Sequence, residues 1–468
     1  MTVRCLGVGA AAPRTRLAGA DVAAAWGRNP TGGRVAVCPP DEDTLTLAWE
    51  AATAALAAAG TDADHVDAVF WGTSRPPFAE GPSLAFLTAA LGCSPHAGGA
   101  LCAGSAHAGM DALTTGADAV AAGSARIALV VTSDALVPGP GTAFEGRCGA
   151  GAAALVLGAT GGTASIGARV TRCRPHLDRY RGDGEPVLRD LYDARLFREE
   201  IFLPTVTEVT NALASFDVRA WSLPDPDGRL GSVVAKRTGA GAPASSAAYA
   251  AVGDTGAAAA LLGAAGALDA PGLVAIVGTG GGRTTGVLID VETPVAGAAK
   301  VIDALAGDEP MSYTAALRAR GLLEPTGETV PMGVPPESAM FVRGADEMLG
   351  LLGGRCVDCG TVSTPPSIHP TCIACGGPKL EPVPVARGGR VHTYVVNHTM
   401  PAPFVAPLPI AVLDMDDGAR LMLQVVGDGH DIEIGTRVQL VLRKYAHERG
   451  VPVYGFKARA ARPTGAAS

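Results

Sequence analysis

Four cysteines in the C-terminal part of the chain have the spacing of a metal site. Cys356-Val-Asp-Cys359 is followed, after twelve residues, by Cys372-Ile-Ala-Cys375. Each pair can place two thiolates on one tetrahedral ion, and Gly360 and Gly376 permit tight knuckle turns after the pairs. Zinc suits four thiolates because it takes soft tetrahedral ligands without redox chemistry, and with every position filled the role is structural. Two disulfides or a rubredoxin-like iron are the competing readings, and a reducing cytosol disfavours the first.

A second signal is Leu101-Cys102-Ala-Gly-Ser-Ala-His107. A cysteine followed by small residues and then a helix sits where the helix dipole would stabilise a thiolate. A thiolate there can attack a thioester carbonyl and hold the acyl group. The bland alternative is a buried cysteine in an Ala/Gly-rich core. His107 could activate the thiol or serve as base, or it could simply pack. In Gly278-Thr-Gly-Gly-Gly282, after the apolar run Leu273–Val277, backbone N–H groups around Gly280, Gly281 and Gly282 could meet an oxyanion. As a dinucleotide fingerprint this run fails, because Arg283 stands where the third Gly should be. Glu145 is a further acid beside a Gly-rich strand, with Arg147 or Arg283 as the expected salt-bridge partner.

The elements that must position these residues alternate. Asp41-Glu-Asp opens an Ala-rich helix, Val66–Thr73 reads as a short buried strand, Met110–Ala122 as a helix and Ile127–Ser133 as a strand. That alternation predicts an α/β fold with parallel strands. Similar helix-to-strand stretches at 48–73 and 255–279 suggest an internal repeat. Residues 292–336 read as a linker with one helix near Thr314–Gly321. Beyond residue 380, β-forming runs separated by Gly and Asp turns predict a small all-β, OB-type barrel.

Composition sets limits on all of this. The 468 residues include 62 Gly and 35 Pro, with 4% aromatic, 18% charged and 48% hydrophobic residues. A disordered chain is excluded, and the core must be built from Ala, Val and Leu with backbones close together. A net charge of −8 argues against broad nucleic-acid binding. Met1–Pro13 lacks the pattern of a secretory leader, and no run reaches the ~18 apolar residues of a membrane helix. The expectation is a cytoplasmic protein with no membrane partner, and the Ala/Gly/Arg bias suggests a bacterial source.

Taken in order, these pieces resemble the thiolase superfamily over residues 1–325, with ketoacyl synthase III and 3-hydroxy-3-methylglutaryl-CoA synthase as the nearest types. The resemblance rests on Arg4–Pro13, Asp41-Glu-Asp, Cys102-Ala-Gly104 and the Gly-rich 278–288. Residues 337–462 resemble the thiolase-associated proteins with a short helix, a rubredoxin-like zinc ribbon and an OB fold, and the two are fused here. The implied architecture is a thiolase-like layered fold of two pseudo-repeated halves (1–160 and 161–325), then a helix and zinc ribbon (337–380) and an OB barrel (381–462). The implied activity is acyl transfer from acyl-CoA or an acyl carrier protein, through an S-acyl Cys102, to a carbon or heteroatom of a small-molecule acceptor, in a homodimer. CoA or a phosphopantetheine thioester is then substrate, and zinc is structural.

The departures from that family matter. Pro224 occupies the position of the family's His, and Gly253-Asp254 replaces its Gly-Asn. The Glu that usually follows Gly-Thr is missing from Gly72-Thr-Ser74. An ionised carboxylate only accepts hydrogen bonds, so Asp225, Asp227 and Asp254 point to proton abstraction rather than enolate stabilisation. Synthase-like C–C condensation with rewired acid/base groups, and a non-catalytic binder of CoA esters or scaffold, are the rival readings.

Overall fold

The computed structural model describes residues 1–29, 32–190, 193–323, 335–400, 404, 406–448 and 450–461. The chain divides into two compact units, Met1–Glu324 and Pro325–Ser468. In the first unit the apolar runs form strands and the Ala-rich runs form helices. The first half holds β1 (Arg4–Ala11), β2 (Thr15–Ala18), α1 (Gly19–Ala25), β3 (Arg34–Ala36), α2 (Thr44–Ala59), β4 (Ala68–Thr73), α3 (Ser83–Leu91), β5 (Gly98–Ala103), α4 (Ala108–Ala121), β6 (Ile127–Ala135) and β7 (Ala150–Gly158). There follow β8 (Ala164–Cys173), α5 (Ala194–Leu196), α6 (Leu203–Leu213), β9 (Val218–Ser222), α7 (Leu230–Thr238), α8 (Ser245–Val252), α9 (Ala259–Ala265), β10 (Gly272–Gly280), β11 (Arg283–Val291) and β12 (Glu309–Pro310). Helix α2 shows how local sequence sets the bounds. Asp43 accepts from the Leu45 and Thr46 amides in a capping box, and Gly60 closes the helix in the left-handed region.

Among the described residues, nine strands make one sheet in the order β5-β4-β6-β7-β1-β8-β11-β10-β9. Its halves follow one plan. β1, β7 and β6 run antiparallel, and β4 and β5 continue in parallel. Likewise β8, β11 and β10 are antiparallel and β9 adds in parallel. The sheet is therefore mixed rather than parallel as expected, because β6 to β7 and β10 to β11 return without a crossover helix. The internal repeat is present in another register. Residues 48–73, α2 to β4, correspond to α6 and β9, whereas 255–279, α9 to β10, correspond to α4 and β6. Ala-rich composition makes these helices alike in sequence and hides which matches which.

The small-residue core now has positions. Helices α4 and α9 touch each other and strands of both halves. A Cβ on Gly72 would lie 2.4 Å from the Ala108 carbonyl oxygen, and one on Gly109 would lie 2.0 Å from that of Ala257. On the other face, β1 lies against α2 so closely that a Cβ on Gly9 would be 2.3 Å from the Ala51 oxygen and 2.4 Å from the Ala55 nitrogen. Residues 292–323, expected as linker, belong to the first unit. β12 pairs with β2, and Met311 and Ala316 are buried with Leu17, Val22, Val35 and Val37. Of the rest of that expected linker, 324–334 lies outside the described residues.

In the second unit, Ala339–Arg343 and Ala345–Met348 form two short turns of helix where one was expected. β13 (Leu352–Cys356), β14 (Val362–Ser363) and β15 (Leu380–Pro384) make a small sheet. β16 (Gly388–Asn397), β17 (Leu408–Met415), β18 (Arg420–Gln424), β19 (Arg437–Glu448) and β20 (Val451–Ala460) make another, ordered β18-β17-β16-β19-β20. A parallel bridge from Val425 to Ala458 joins its two edges and closes the barrel. Alternate residues Val438, Leu440 and Leu442 fill the interior with Tyr454 and Phe456. Among the described residues no helix is long and apolar enough to cross a membrane.

If backbone contact holds the first unit together, Gly9→Ala should lower its unfolding free energy by about 1–3 kcal/mol. Gly241→Ala, where an added Cβ meets nothing within 4 Å, should stay within about 0.5 kcal/mol of wild type. Urea titration followed by tryptophan fluorescence checks both, and equal midpoints would remove the close-approach argument.

Candidate functional site

Cys102 lies near the end of edge strand β5, opposite Gly72 of β4. Ala100 and Cys102 both pack on the core cluster that holds Met110 and Leu113 of α4. The strand places this thiol, and the helix begins at Ala108, six residues further on. Burial, and then the charge of Asp111, raise its pKa above the ordinary thiol range. This is opposite in sign to the activation expected from a helix dipole.

His107 is buried, its Nε2 is 2.8 Å from Thr285 Oγ1 and its Nδ1 is 3.2 Å from Asp111 Oδ2. The other Asp111 oxygen is 2.8 Å from Arg283 Nη1. Through Nε2 His107 ties the start of α4 to β11, while its buried Nδ1 lies within ion-pair distance of Asp111 but makes no hydrogen bond. Burial alone would raise Asp111, but its bond to His107 and the charges of His107 and Arg283 hold it below the usual carboxylate range. Sequence reading missed Asp111, although its place four residues after His107 on one helix was the signal.

The glycine run forms a hairpin tip. Gly281 and Gly282 have φ of 56° and 74°, the pair of left-handed residues that a two-residue turn between twisted strands requires. The tip presses on the loop after Cys102. A Cβ on Gly280 would be 2.8 Å from the His107 nitrogen, and one on Gly281 would be 2.8 Å from Ser105 Cβ. Near it lies a group that sequence reading did not single out, because it sits in an irregular stretch: Asp178, buried, with a pKa raised by that burial.

The three aspartates have separate fates. Asp254 is buried, and its Oδ2 lies 2.5 Å from Arg179 Nη1 while Oδ1 accepts from the Gly256 amide. Asp227 accepts from the Arg229 and Leu230 amides and so anchors the start of α7. Asp225 keeps a buried Oδ1 without a hydrogen-bond partner. Burial, and then the charge of Asp227, push its pKa up to about 6. Asp225, Tyr249 and Asp254 line one small pocket with Leu223 and Ser245. The turn after Asp254 reaches the start of α4 through Ala257 and Gly109, while the pocket's lining contains no residue of the Cys102 loop. Glu145 pairs with neither arginine named above. It accepts from Tyr313 Oη at 2.8 Å and from the Gly141 amide.

In the second unit, the four cysteine sulfurs lie within 4.8 Å of one another. Cys356 and Cys375 are 3.6 Å apart at sulfur, and Cys359 and Cys372 are 3.5 Å apart. Tetrahedral zinc with ~2.3 Å bonds separates its sulfurs by roughly 3.8 Å, whereas a disulfide needs ~2.05 Å. The set therefore fits a four-thiolate ion and not two disulfides. Gly360 and Gly376 adopt φ of 76° and 74°, turning each knuckle so that its amide bonds back to Cys356 or Cys372.

Comparisons divide along the same line. Residues 382–443 match a family model described as "ChsH2, C-terminal OB-fold domain". A DUF35 domain-containing scaffold protein of Methanothermobacter thermautotrophicus is 38% identical over 127 residues, 26% of this chain and 94% of that protein. A hydroxymethylglutaryl-CoA synthase of Methanopyrus kandleri is 31% identical over 194 residues, 40% of this chain. The chain spans 55% of that synthase, about half its length. Among solved structures, an HMG-CoA synthase complexed with CoA superposes with a TM-score of 0.58 at 18% identity, covering 68% of this chain and 90% of that one. The 3-oxoacyl-(acyl carrier protein) synthase III of Pseudomonas aeruginosa gives 0.53 at 23% identity, covering 63% and 99%. These likenesses establish a thiolase-like fold followed by an OB-fold module.

Asp134 offers a pH test of how the Asp254 turn is held. Fully buried, it accepts from Thr73 Oγ1, the Ser74 amide and the Ala257 amide, and burial still pushes its pKa up to about 6. A raised carboxyl contributes stability that is complete below ~pH 4 and is lost as pH rises through about 6. Asp134→Asn should therefore show a flatter fall in unfolding free energy between pH 4 and 7, measured by urea titration. An equally steep fall would place that titration on another group.

Proposed function

We propose, from the premise that the chain belongs through its C-terminal unit to the DUF35 scaffold-protein family and carries a thiolase-like domain ahead of it, that it is an acyltransferase working through an S-acyl cysteine. The observation that carries this reading is the placement of Cys102. It stands on a strand facing the small-residue core, beside a glycine hairpin tip whose amides converge near the same loop. The donor is an acyl-CoA or an acyl carrier protein, in keeping with the CoA-complexed HMG-CoA synthase and the acyl carrier protein synthase III that share the fold.

In the first step the bond from Cys102 Sγ to the acyl carbon forms and the bond from that carbon to the donor sulfur breaks. The thiol proton leaves with the departing thiolate. In the second, a carbon or heteroatom of a small acceptor displaces Sγ, and its proton passes to a carboxylate. Asp225 suits that role best: a carboxyl with a pKa of about 6 is half-poised near neutrality and has an oxygen to spare. Condensation of two thioesters, as the name of the synthase relatives would imply, is the carbon-acceptor version of this chemistry. Homodimerisation belongs to the same proposal, and so does a zinc ion on Cys356, Cys359, Cys372 and Cys375. Bound there, zinc supplies cross-linking of the two knuckles and no reaction chemistry.

A second reading has specific support. Asp254 is tied to Arg179, the thiol pKa is raised, and the family premise names scaffolds. On that reading the first unit binds CoA esters or a partner protein without turnover.

Incubation with a panel of acyl-CoAs and intact-mass spectrometry separates the two. The expected result is a mass increase equal to one acyl group in wild type and none in Cys102→Ser. Absence of an adduct from every donor would leave the scaffold reading. Metal analysis should find about one zinc per chain, and Cys356→Ser should lose most of it and the cooperative unfolding of the second unit. Undiminished zinc in that variant would refute the four-thiolate site.

A further inference from the structure

The four sulfurs of the cysteine set are not equivalent. Cys356 and Cys372, the first of each pair, are buried, while Cys359 and Cys375, the second of each, are exposed. All four lie within 4.8 Å of one another, so the two exposed sulfurs, one from each knuckle, are neighbours at the surface. Their surroundings differ as well. Cys372 Sγ accepts from the Ala374 and Cys375 amides at 3.4 and 3.5 Å. Cys359 Sγ lies 3.3 Å from Thr361 Oγ1. Cys375 Sγ faces another sulfur, that of Cys356, at 3.6 Å. Beside these two, Gly377 brings backbone and no side chain. A Cβ there would lie 3.3 Å from both Cys356 Sγ and Cys375 Sγ.

These differences have a chemical consequence. A metal-bound cysteine is held as thiolate, and the thiolate is the nucleophile. Oxidation selects a thiolate that solvent can reach and that has a second sulfur close enough to resolve it. Buried Cys356 and Cys372 fail the first condition. Cys375 meets both, with its exposed flank unshielded at Gly377 and Cys359 beside it.

We infer that Cys375 is a modification site for hydrogen peroxide, resolved by Cys359, so that oxidation opens the cross-link between the two knuckles. The inference rests on the four-thiolate zinc reading and is independent of the chemistry proposed at Cys102. In the first step the Cys375 thiolate attacks one peroxide oxygen. An S–O bond forms, the O–O bond breaks, and the departing hydroxide takes a proton to become water. The sulfur is now a sulfenic acid, oxidised by two electrons, and the peroxide is reduced. The Cys359 thiolate then displaces hydroxide from that sulfur. An S–S bond forms, the S–O bond breaks, and a second proton makes the second water. Two thiolates, one peroxide and two protons thus give one disulfide and two waters. Cys356 and Cys372 are then the only thiolates left to a site that needs four, and the ion is lost.

The test treats the full-length, zinc-loaded protein with hydrogen peroxide. Released zinc is read with a chromogenic chelator, and cysteine states are mapped by peptide mass spectrometry with dimedone as the sulfenic-acid trap. Cys173, exposed in the first unit but outside the metal set, is the internal control. The expected result is one zinc released per Cys359–Cys375 disulfide, early dimedone labelling at Cys375, and recovery of bound zinc when a thiol reductant and zinc are added back. Gly377→Ala keeps all four ligands and adds a methyl group beside the attacked sulfur. It should retain its zinc and release it more slowly. Zinc loss through a disulfide that includes Cys356 or Cys372 would overturn the assignment, as would oxidation of Cys173 while the zinc stays bound. An unchanged release rate in zinc-loaded Gly377→Ala would also overturn it. If that variant binds no zinc, the wild-type peptide map decides alone. Protein that holds zinc and resists peroxide sinks this inference and leaves the four-thiolate site standing, whereas protein that never binds zinc sinks both.

Discussion

The first unit depends on backbones meeting where side chains are missing. Helix α4 starts just after His107, carries Asp111 and follows the Cys102 loop. It is pressed on one side by β4 at Gly72 and on another by the Asp254–Ala257 turn at Gly109, while β10 meets its Met110 at Gly278. Dispersion falls off steeply with distance, so a core poor in rings gains attraction only by bringing its backbones close. One methyl group at any of these positions would push apart segments that carry different parts of the candidate site. The geometry of the thiol, the hairpin amides and the aspartates is thus one property, set by the same contacts.

The electrostatics of the site follow from that closeness. Tight packing excludes water, and exclusion raises the pKa of each neutral-prone group that lacks a counter-charge: Cys102, Asp225 and Asp134. Asp111 escapes because His107 and Arg283 flank it. Arg179 is the reverse case, since burial alone would lower it and Asp254 more than offsets that. Charge in this interior is held in pairs, and the pairs decide which acids remain able to move a proton.

Much of the fold was legible because it lay in local pattern. The capped start of α2, the buried runs of β4 and β6, the alternation in β19 and the Cys-x-x-Cys knuckles each depend on neighbouring residues alone. Strand β5 was not legible: Gly98-Gly99-Ala100 has poor strand propensity and is held by its parallel pairing to β4. The sheet's mixed direction was hidden for a related reason, since β6 and β7 look like any buried parallel strands. Cys102 and the glycine run share a neighbourhood, His107 meets Thr285 across the fold, and Asp227 holds the nearby Arg229 and Leu230 amides. Asp178 could not be found, because burial of a loop carboxylate by distant parts of the chain leaves no local trace. The pairings of Asp254 with Arg179 and of Glu145 with Tyr313 are equally non-local.

The two units differ in how they respond to change in their genes. In the second, stability rests on atoms that are present, four sulfurs and an alternating barrel interior. Many replacements inside such a barrel are tolerable if volume is kept. In the first, the critical contacts rest on atoms that are absent. Glycine has no smaller neighbour in the genetic alphabet, so every missense change at Gly9, Gly72 or Gly109 adds bulk and none is conservative. Drift can therefore reshape the barrel and the loop surfaces while the glycine seams around α4 admit almost no intermediate steps, and new chemistry in this chain has to arise by exchanging side chains around a fixed backbone frame.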